Sequence, residues 1–182
     1  MSVYQLPVGL PVPVDDGACD HLLGMAVPAL TLESSIGPVD LAAFGAERAV
    51  LYVYPRTGRP DRPVPADWDS IPGARGCTPQ SCGFRDHAGE LRALGARVAG
   101  LSVQMLEEQV ELSERLGLLY PVISDPELAL REALSLPTFE FEGQTLYKRV
   151  TLVFEAGRVA KVFYPVFPPD KNAEEVLAWL GS

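Results

Sequence analysis

Long hydrophobic runs are missing from this sequence. None approaches the roughly 20 apolar residues that a spanning helix needs, so no membrane span is expected. Positive charge is scarce: 15 Lys and Arg stand against 24 Asp and Glu, a formal net charge of −9. A nucleic-acid partner normally needs a basic patch, and anionic membranes attract basic segments, so neither partner is expected. The opening residues, Met1-Ser2-Val3-Tyr4-Gln5-Leu6, lack the basic and long apolar regions of a secretory leader. The expected compartment is therefore cytoplasmic, where a disulfide is more often transient and catalytic than structural. Cysteine and histidine are few, three and two. Cys19, His21 and His87 form no second ligand pair to match Cys77 and Cys82, so no metal site is expected. No internal repeat, low-complexity segment or second domain stands out, and 182 residues suffice for one domain with a sizeable core.

What the sequence does have is one dense stretch, Gly76-Cys77-Thr78-Pro79-Gln80-Ser81-Cys82-Gly83-Phe84-Arg85-Asp86. It holds two of the three cysteines at an expected helix start, with Thr78 as N-cap and Pro79 at the first helical position. Phe84, Ala88, Leu91 and Leu94 continue at helical spacing to about Gly95. The apolar run from Ala49 to Tyr54 precedes this stretch and Val98 to Val103 follows it; both read as strands covered on two faces. Between the first strand and Cys77 lie residues 55–76, with five prolines and no regular pattern. A loop this long inside a compact domain is usually functional. Trp68 either anchors that loop to the body of the protein or covers the thiol site.

The rest of the chain completes an α/β order. Residues 1–28 read as an irregular arm, in which Cys19 is either an arm thiol or a third redox thiol, and residues 29–182 read as a single domain. Ala29–Glu33 and Val39 form a short strand pair, and Asp40 caps a turn of helix over Leu41 to Phe44. Met105 to Leu116 is amphipathic and stops at Gly117. Pro121 to Ser124 is a strand, Asp125-Pro126 caps a helix from Glu127, and Phe139 to Leu146 forms a loose hairpin. Ala156-Gly157 joins strands at Arg149–Phe154 and Val159–Tyr164, and Asp170 caps the last helix. Crossover helices require a parallel half-sheet, and the late hairpin adds an antiparallel half. The expected fold is thioredoxin-like: a central mixed β-sheet flanked by helices on both faces.

The chemistry follows from the thiolate, which is the nucleophilic form of cysteine. A helix N-terminus and a nearby cation both favour it. Arg75, Arg85 and Arg149 are candidate cations. Arg149 opens a core strand and is either the thiolate's partner or half of a structural ion pair. The cysteine pair itself is either redox-active or two inert core thiols. On one regular helix, residues five apart have Cα atoms about 8.7 Å apart, whereas a disulfide needs roughly 4.4–6.8 Å. Joining Cys77 to Cys82 therefore requires the first helical turn to unwind. Gly83, a weak helix former, eases that.

These residues resemble the peroxiredoxins, and among them the bacterioferritin-comigratory-protein (PrxQ) branch. The likeness rests on Tyr54-Pro55, the Gly76–Asp86 stretch, Gly100-Leu101-Ser102, Pro121 to Asp125 and Arg149, in that order. It covers about residues 25–181. It implies a thioredoxin fold and a thiol peroxidase without metal or organic cofactor, acting on hydrogen peroxide or organic hydroperoxides. Cys77 would be the peroxidatic cysteine and Cys82 the resolving one, joined in an intrachain disulfide that thioredoxin or a similar dithiol reduces. Arg149 would stabilise the thiolate and orient the peroxide. The expected assembly is a monomer or weak dimer. One departure stands out. The family places Pro and Thr seven and three residues before the peroxidatic cysteine, where this chain has Ser70 and Ala74. The matching Pro55 lies 22 residues upstream, and Thr57 or Thr78 is left to serve the substrate in place of the displaced threonine. Two rival functions remain at this point: a thiol–disulfide oxidoreductase with weak peroxidase activity, and a non-enzymatic redox-switched binding protein.

Overall fold

The structure is a computed structural model that describes residues 2–182. Its elements in chain order are β1 (Thr31–Leu32), β2 (Val39–Asp40), α1 (Leu41–Phe44), β3 (Ala49–Val53), α2 (Cys77–Asp86), α3 (Ala88–Ala93) and β4 (Arg97–Ser102). Then come α4 (Leu106–Leu116), β5 (Val122–Ser124), α5 (Ala129–Leu134), β6 (Thr138–Phe141), β7 (Gln144–Tyr147), β8 (Val150–Glu155), β9 (Arg158–Phe163) and α6 (Asn172–Leu180). Short 3-10 turns lie at Trp68–Ser70 and Pro169–Lys171.

Five strands form the central sheet in the order β5-β4-β3-β8-β9. The β3–β4 and β4–β5 pairs are parallel, and β3–β8 and β8–β9 are antiparallel. The mixed sheet expected from the sequence is therefore present, with β3 at its centre. Every residue of β3 is buried, because both faces are covered. Strand alternation sends Ala49, Leu51 and Val53 into one core, with α1, α5 and the arm residues Cys19, Leu22 and Val27. It sends Val50 and Tyr52 into the other, with α2, α3, α4 and α6.

The arm packs through backbone as well as side chains. Ala26 bridges Arg158 antiparallel, and the amides of Gly24 and Val27 donate to the carbonyls of Val159 (2.8 Å) and Gly157 (2.9 Å). This extends the pairing beyond the outer edge of β9. His21 holds the same arm to the end of α5, with Nε2 2.8 Å from the Leu134 carbonyl oxygen.

Several expected boundaries shift for local reasons. Asp40 does cap α1, accepting from the Ala43 amide at 3.2 Å. Ala156 and Gly157 both have positive φ, as a two-residue hairpin turn requires. Thr78, however, is not an N-cap. Gly76 holds that position with φ 110°, and the helix starts at Cys77. Pro79 then falls at the third helical residue, still among the first-turn positions that have no intrahelical acceptor for an N–H. The expected single helix to Gly95 is two, broken at His87. Asp125 accepts from Ala129 and Leu130, so α5 begins two residues later than expected. Asp170 lies inside the Pro169–Lys171 turn, which Pro169 initiates, and so does not cap α6. Its buried Oδ1 has no hydrogen-bond partner.

Candidate active site

Cys77 opens α2 and is 3% exposed. The close packing at this helix start explains Gly76: a Cβ there would collide with Pro169 and Leu6, and the left-handed backbone favours glycine in any case. The Cys77 sulfur sits 3.2 Å from Nη2 of Arg149, and its thiol donates weakly to the Ala74 carbonyl at 3.7 Å.

Arg149 comes from the residue just before β8 and is 3% exposed. Its guanidinium donates to the carbonyls of Gly73 (3.2 Å), Ala74 (3.0 Å) and Arg75 (3.3 Å), and to Oε1 of Gln80. No carboxylate pairs with it among the described residues, so the structural ion pair is not what holds it. A buried cation surrounded by neutral acceptors keeps its charge available to an anion beside it. The fork is fixed from behind. Gln80 Nε2 donates to Oδ1 of Asn172 at 3.0 Å, and Thr151 donates to that same oxygen at 2.7 Å. Gln80, Asn172 and Thr151 escape sequence reasoning, because their partners lie far away along the chain.

Of the other candidate cations, Arg75 pairs with Asp69 at 2.8 Å. Arg85 pairs with Asp86 and donates to the Leu116 carbonyl, on the side of Cys82 rather than Cys77. Cys82 is half-buried on the same unbroken helix as Cys77, and both thiols are free. Burial pushes the Cys82 thiol above its ordinary value, and the nearby Arg85 only partly offsets this. The turn between the two cysteines is latched to the sheet. Tyr52 donates to Ser81 Oγ (3.0 Å) and Tyr120 to the Ser81 carbonyl (2.9 Å), and the two phenols lie 2.9 Å apart. Gly100 makes this possible, since a Cβ there would come within 2.7 Å of the Tyr52 ring.

A cavity of about 250 Å³ opens on Cys77. Thr57, Thr78 and Trp68 line it, so both threonine candidates share a cavity with the thiol. Thr57 donates through its amide and hydroxyl to Gln104 Oε1 (3.0 and 3.1 Å). Thr78 is 2% exposed, and its hydroxyl has no partner. Pro55 is buried just after β3 and is not among the residues that line the cavity, which Arg56 joins one residue later. Trp68 does both things the sequence allowed. It packs on Phe139 and Phe141 of the β6–β7 hairpin, with Arg56 stacked 5.0 Å above it, and it forms part of the cavity wall.

Cys19 does not line this cavity. Burial, and then the carboxylates of Asp16, Asp15 and Asp20, push its thiol up to about 12. No group of three or more metal-ligating side chains occurs among the described residues. No helix among them is long and apolar enough to cross a membrane.

Comparisons with known proteins give the family. The profile of the Redoxin family matches residues 22–177. The chloroplastic peroxiredoxin Q of Sedum lineare is 30% identical over 161 residues, which is 87% of this chain and 77% of that protein. The crystal structure of peroxidoxin BcpB from Mycobacterium tuberculosis superposes with a TM-score of 0.72 at 26% identity, covering 88% of this chain and 97% of that one. A bacterioferritin comigratory protein of Xanthomonas campestris shares the fold, with a TM-score of 0.66 at 24% identity over 95% and 96% of the two chains. The chain belongs to the peroxiredoxins, in their Q or bacterioferritin-comigratory branch, and its α/β fold is thioredoxin-like.

Proposed function

We propose that the protein is a thiol peroxidase in which Cys77 attacks the peroxide, Cys82 resolves the product and Arg149 stabilises the charge. The observation that carries this reading is the 3.2 Å contact between Arg149 Nη2 and the Cys77 sulfur, on a cavity that admits a substrate. The Cys77 thiolate attacks the distal oxygen of R–O–O–H. A sulfur–oxygen bond forms, the O–O bond breaks, and RO⁻ leaves and takes a proton to give ROH. Sulfur loses two electrons and becomes a sulfenic acid. The guanidinium is positioned where charge moves from sulfur to the leaving oxygen, and such a preorganised donor is worth most in a dry site. The unpartnered hydroxyl of Thr78 and the free lone pairs of Thr57 supply hydrogen bonds to the peroxide.

The Cys82 thiol then attacks the Cys77 sulfenic sulfur. A disulfide forms and water leaves. Both cysteines lie on α2 about 8.7 Å apart by helix geometry, so α2 must open first. A thioredoxin-type dithiol completes the cycle by taking the disulfide back to two thiols. The setting is cytoplasmic and the working unit a monomer or weak dimer.

Rapid mixing of reduced protein with hydrogen peroxide tests the assignment. Cys77→Ser removes the fast phase. Cys82→Ser still consumes one equivalent and stops at the Cys77 sulfenic acid, trapped with a dimedone-type reagent. Loss of the first phase in Cys82→Ser would reverse the two roles, and rapid exchange with disulfides but not peroxides would favour a thiol–disulfide oxidoreductase.

A further inference from the structure

End residues of a chain are ordered only where something ties them down, and residues 2–6 are tied at several points. The Ser2 carbonyl accepts from Arg75 Nη2 at 3.3 Å. Val3 is 8% exposed and lies against Gly58, where a Cβ would come within 3.0 Å of it. The Arg115 guanidinium carbon sits over the Tyr4 ring, 5.8 Å from its centre, and Arg115 Nη1 donates to the Tyr4 hydroxyl at 3.2 Å. Arg115 is itself fixed, to Glu111 at 2.7 Å and to the Gly58 carbonyl at 3.1 Å. Residues 2–4 are thus bound to both ends of the loop at 55–76 and to α4.

These ties put Leu6 in place at the start of α2. Leu6 is half-buried, and a Cβ on Gly76 would come within 2.7 Å of its Cδ2, while Pro169 crowds the same spot. The Gly76 carbonyl accepts the first bond of the helix, from the Gln80 amide at 3.0 Å. Opening the first turn breaks that bond and moves Gly76. The movement either parts the contacts with Leu6 and Pro169 or forces those side chains aside, and close packing makes both costly.

From these contacts we infer that Leu6 is a positioning residue for the resolving step: residues 2–6 strap the start of α2 closed and so slow the joining of Cys77 to Cys82. The inference rests on the peroxidase reading of Cys77. Leu6 does not line the Cys77 cavity, so the attack on peroxide is left alone. The coupling is reciprocal. A docked strap favours closed α2, and opening of α2 releases the strap by the same factor.

The test mixes reduced wild type, Leu6→Ala, Leu6→Met and Tyr4→Ala with hydrogen peroxide, quenches at successive times, and counts Cys77 sulfenic acid and Cys77–Cys82 disulfide by mass. Leu6→Ala is expected to form the disulfide about fivefold faster, while the sulfenic acid appears within about twofold of the wild-type rate. Tyr4→Ala unties the strap at Arg115 and is expected to change in the same direction. Leu6→Met restores apolar bulk and is expected to return the disulfide rate to within about twofold of wild type. Chymotrypsin reads the reciprocal effect: it should cut after Tyr4 or Leu6 faster in the disulfide form than in the reduced form. Disulfide formation at the wild-type rate in Leu6→Ala and Tyr4→Ala, an acceleration that Leu6→Met does not reverse, or equal cleavage of the two forms overturns the strap. In each of those cases a fast sulfenic step in the same traces leaves the peroxidase reading standing. Absence of that step in the wild type overturns the peroxidase reading, and the proposal with it.

Discussion

Two thiols in this protein are almost equally hidden, Cys19 at 5% exposure and Cys77 at 3%, yet their surroundings are opposite. Cys19 sits in the arm among Asp15, Asp16 and Asp20, and burial plus those carboxylates push it up to about 12. Cys77 sits at the start of a helix, with a guanidinium 3.2 Å away and a cavity in front of it. Burial does not distinguish a reactive thiol from an inert one. The sign of the nearby charge and the access to substrate do. Arg149 provides that charge with no carboxylate paired to it among the described residues, and the Gln80–Asn172 hydrogen bond keeps it aimed.

The largest expected break in this comparison comes from the two serine variants. Cys77→Ser is expected to slow peroxide consumption by about a thousandfold or more, because Cys77 is the one thiol among the described residues that line the cavity. Cys19→Ser is expected to stay within about twofold of wild type. A comparable loss in Cys19→Ser, measured by stopped flow, would place the arm thiol in the cycle. Arg149→Gln comes next. Removing one preorganised donor typically costs about a hundredfold in rate. A rate near wild type in a folded Arg149→Gln protein would show that the helix start alone activates Cys77.

Tyr120→Phe sharpens the comparison at the level of the helix. It deletes the bond to the Ser81 carbonyl and the contact with Tyr52. A hydrogen bond contributes about 1 kcal/mol, so α2 should open more readily and disulfide formation should run about fivefold faster. An unchanged second phase would mean that these phenols do not latch the turn.

The smallest effect is on stability at alkaline pH. The folded Cys19 thiol titrates at about 12, above its ordinary value of 9.0, so the folded state holds its proton more tightly than the unfolded one. The resulting stability is complete below about pH 9 and is lost as pH rises towards 12. Wild type should therefore lose denaturant resistance more steeply than Cys19→Ala across that range. Parallel curves would show that the thiol does not titrate there.

Much of this was legible in the sequence because the signals are local. The runs at 49–54 and 98–103 are β-rich and bounded by breakers, and both are central strands. Ala156-Gly157 marks its own hairpin. The order of Cys77, Cys82 and Arg149 carries the family likeness. What stayed hidden depends on contacts between distant residues. Gln80 looks like any polar helix residue until Arg149, 69 positions away, is brought to it. The unpartnered Thr78 hydroxyl looked like an N-cap, because nothing in the sequence says that Gly76 takes the left-handed cap position. The arm's pairing at the edge of β9 leaves no period-2 pattern, since it is carried mostly by backbone.

Hydrogen exchange across α2 in the reduced and peroxide-oxidised protein tests the account most directly, with the Cys77–Cys82 disulfide verified by peptide mapping. In the reduced form the amides of Ser81 to Phe84 should be protected, as an intact helix requires. After oxidation that protection should be lost, because a bonded pair does not fit a regular turn. Full protection of Ser81 to Phe84 in protein that carries the disulfide would contradict the account.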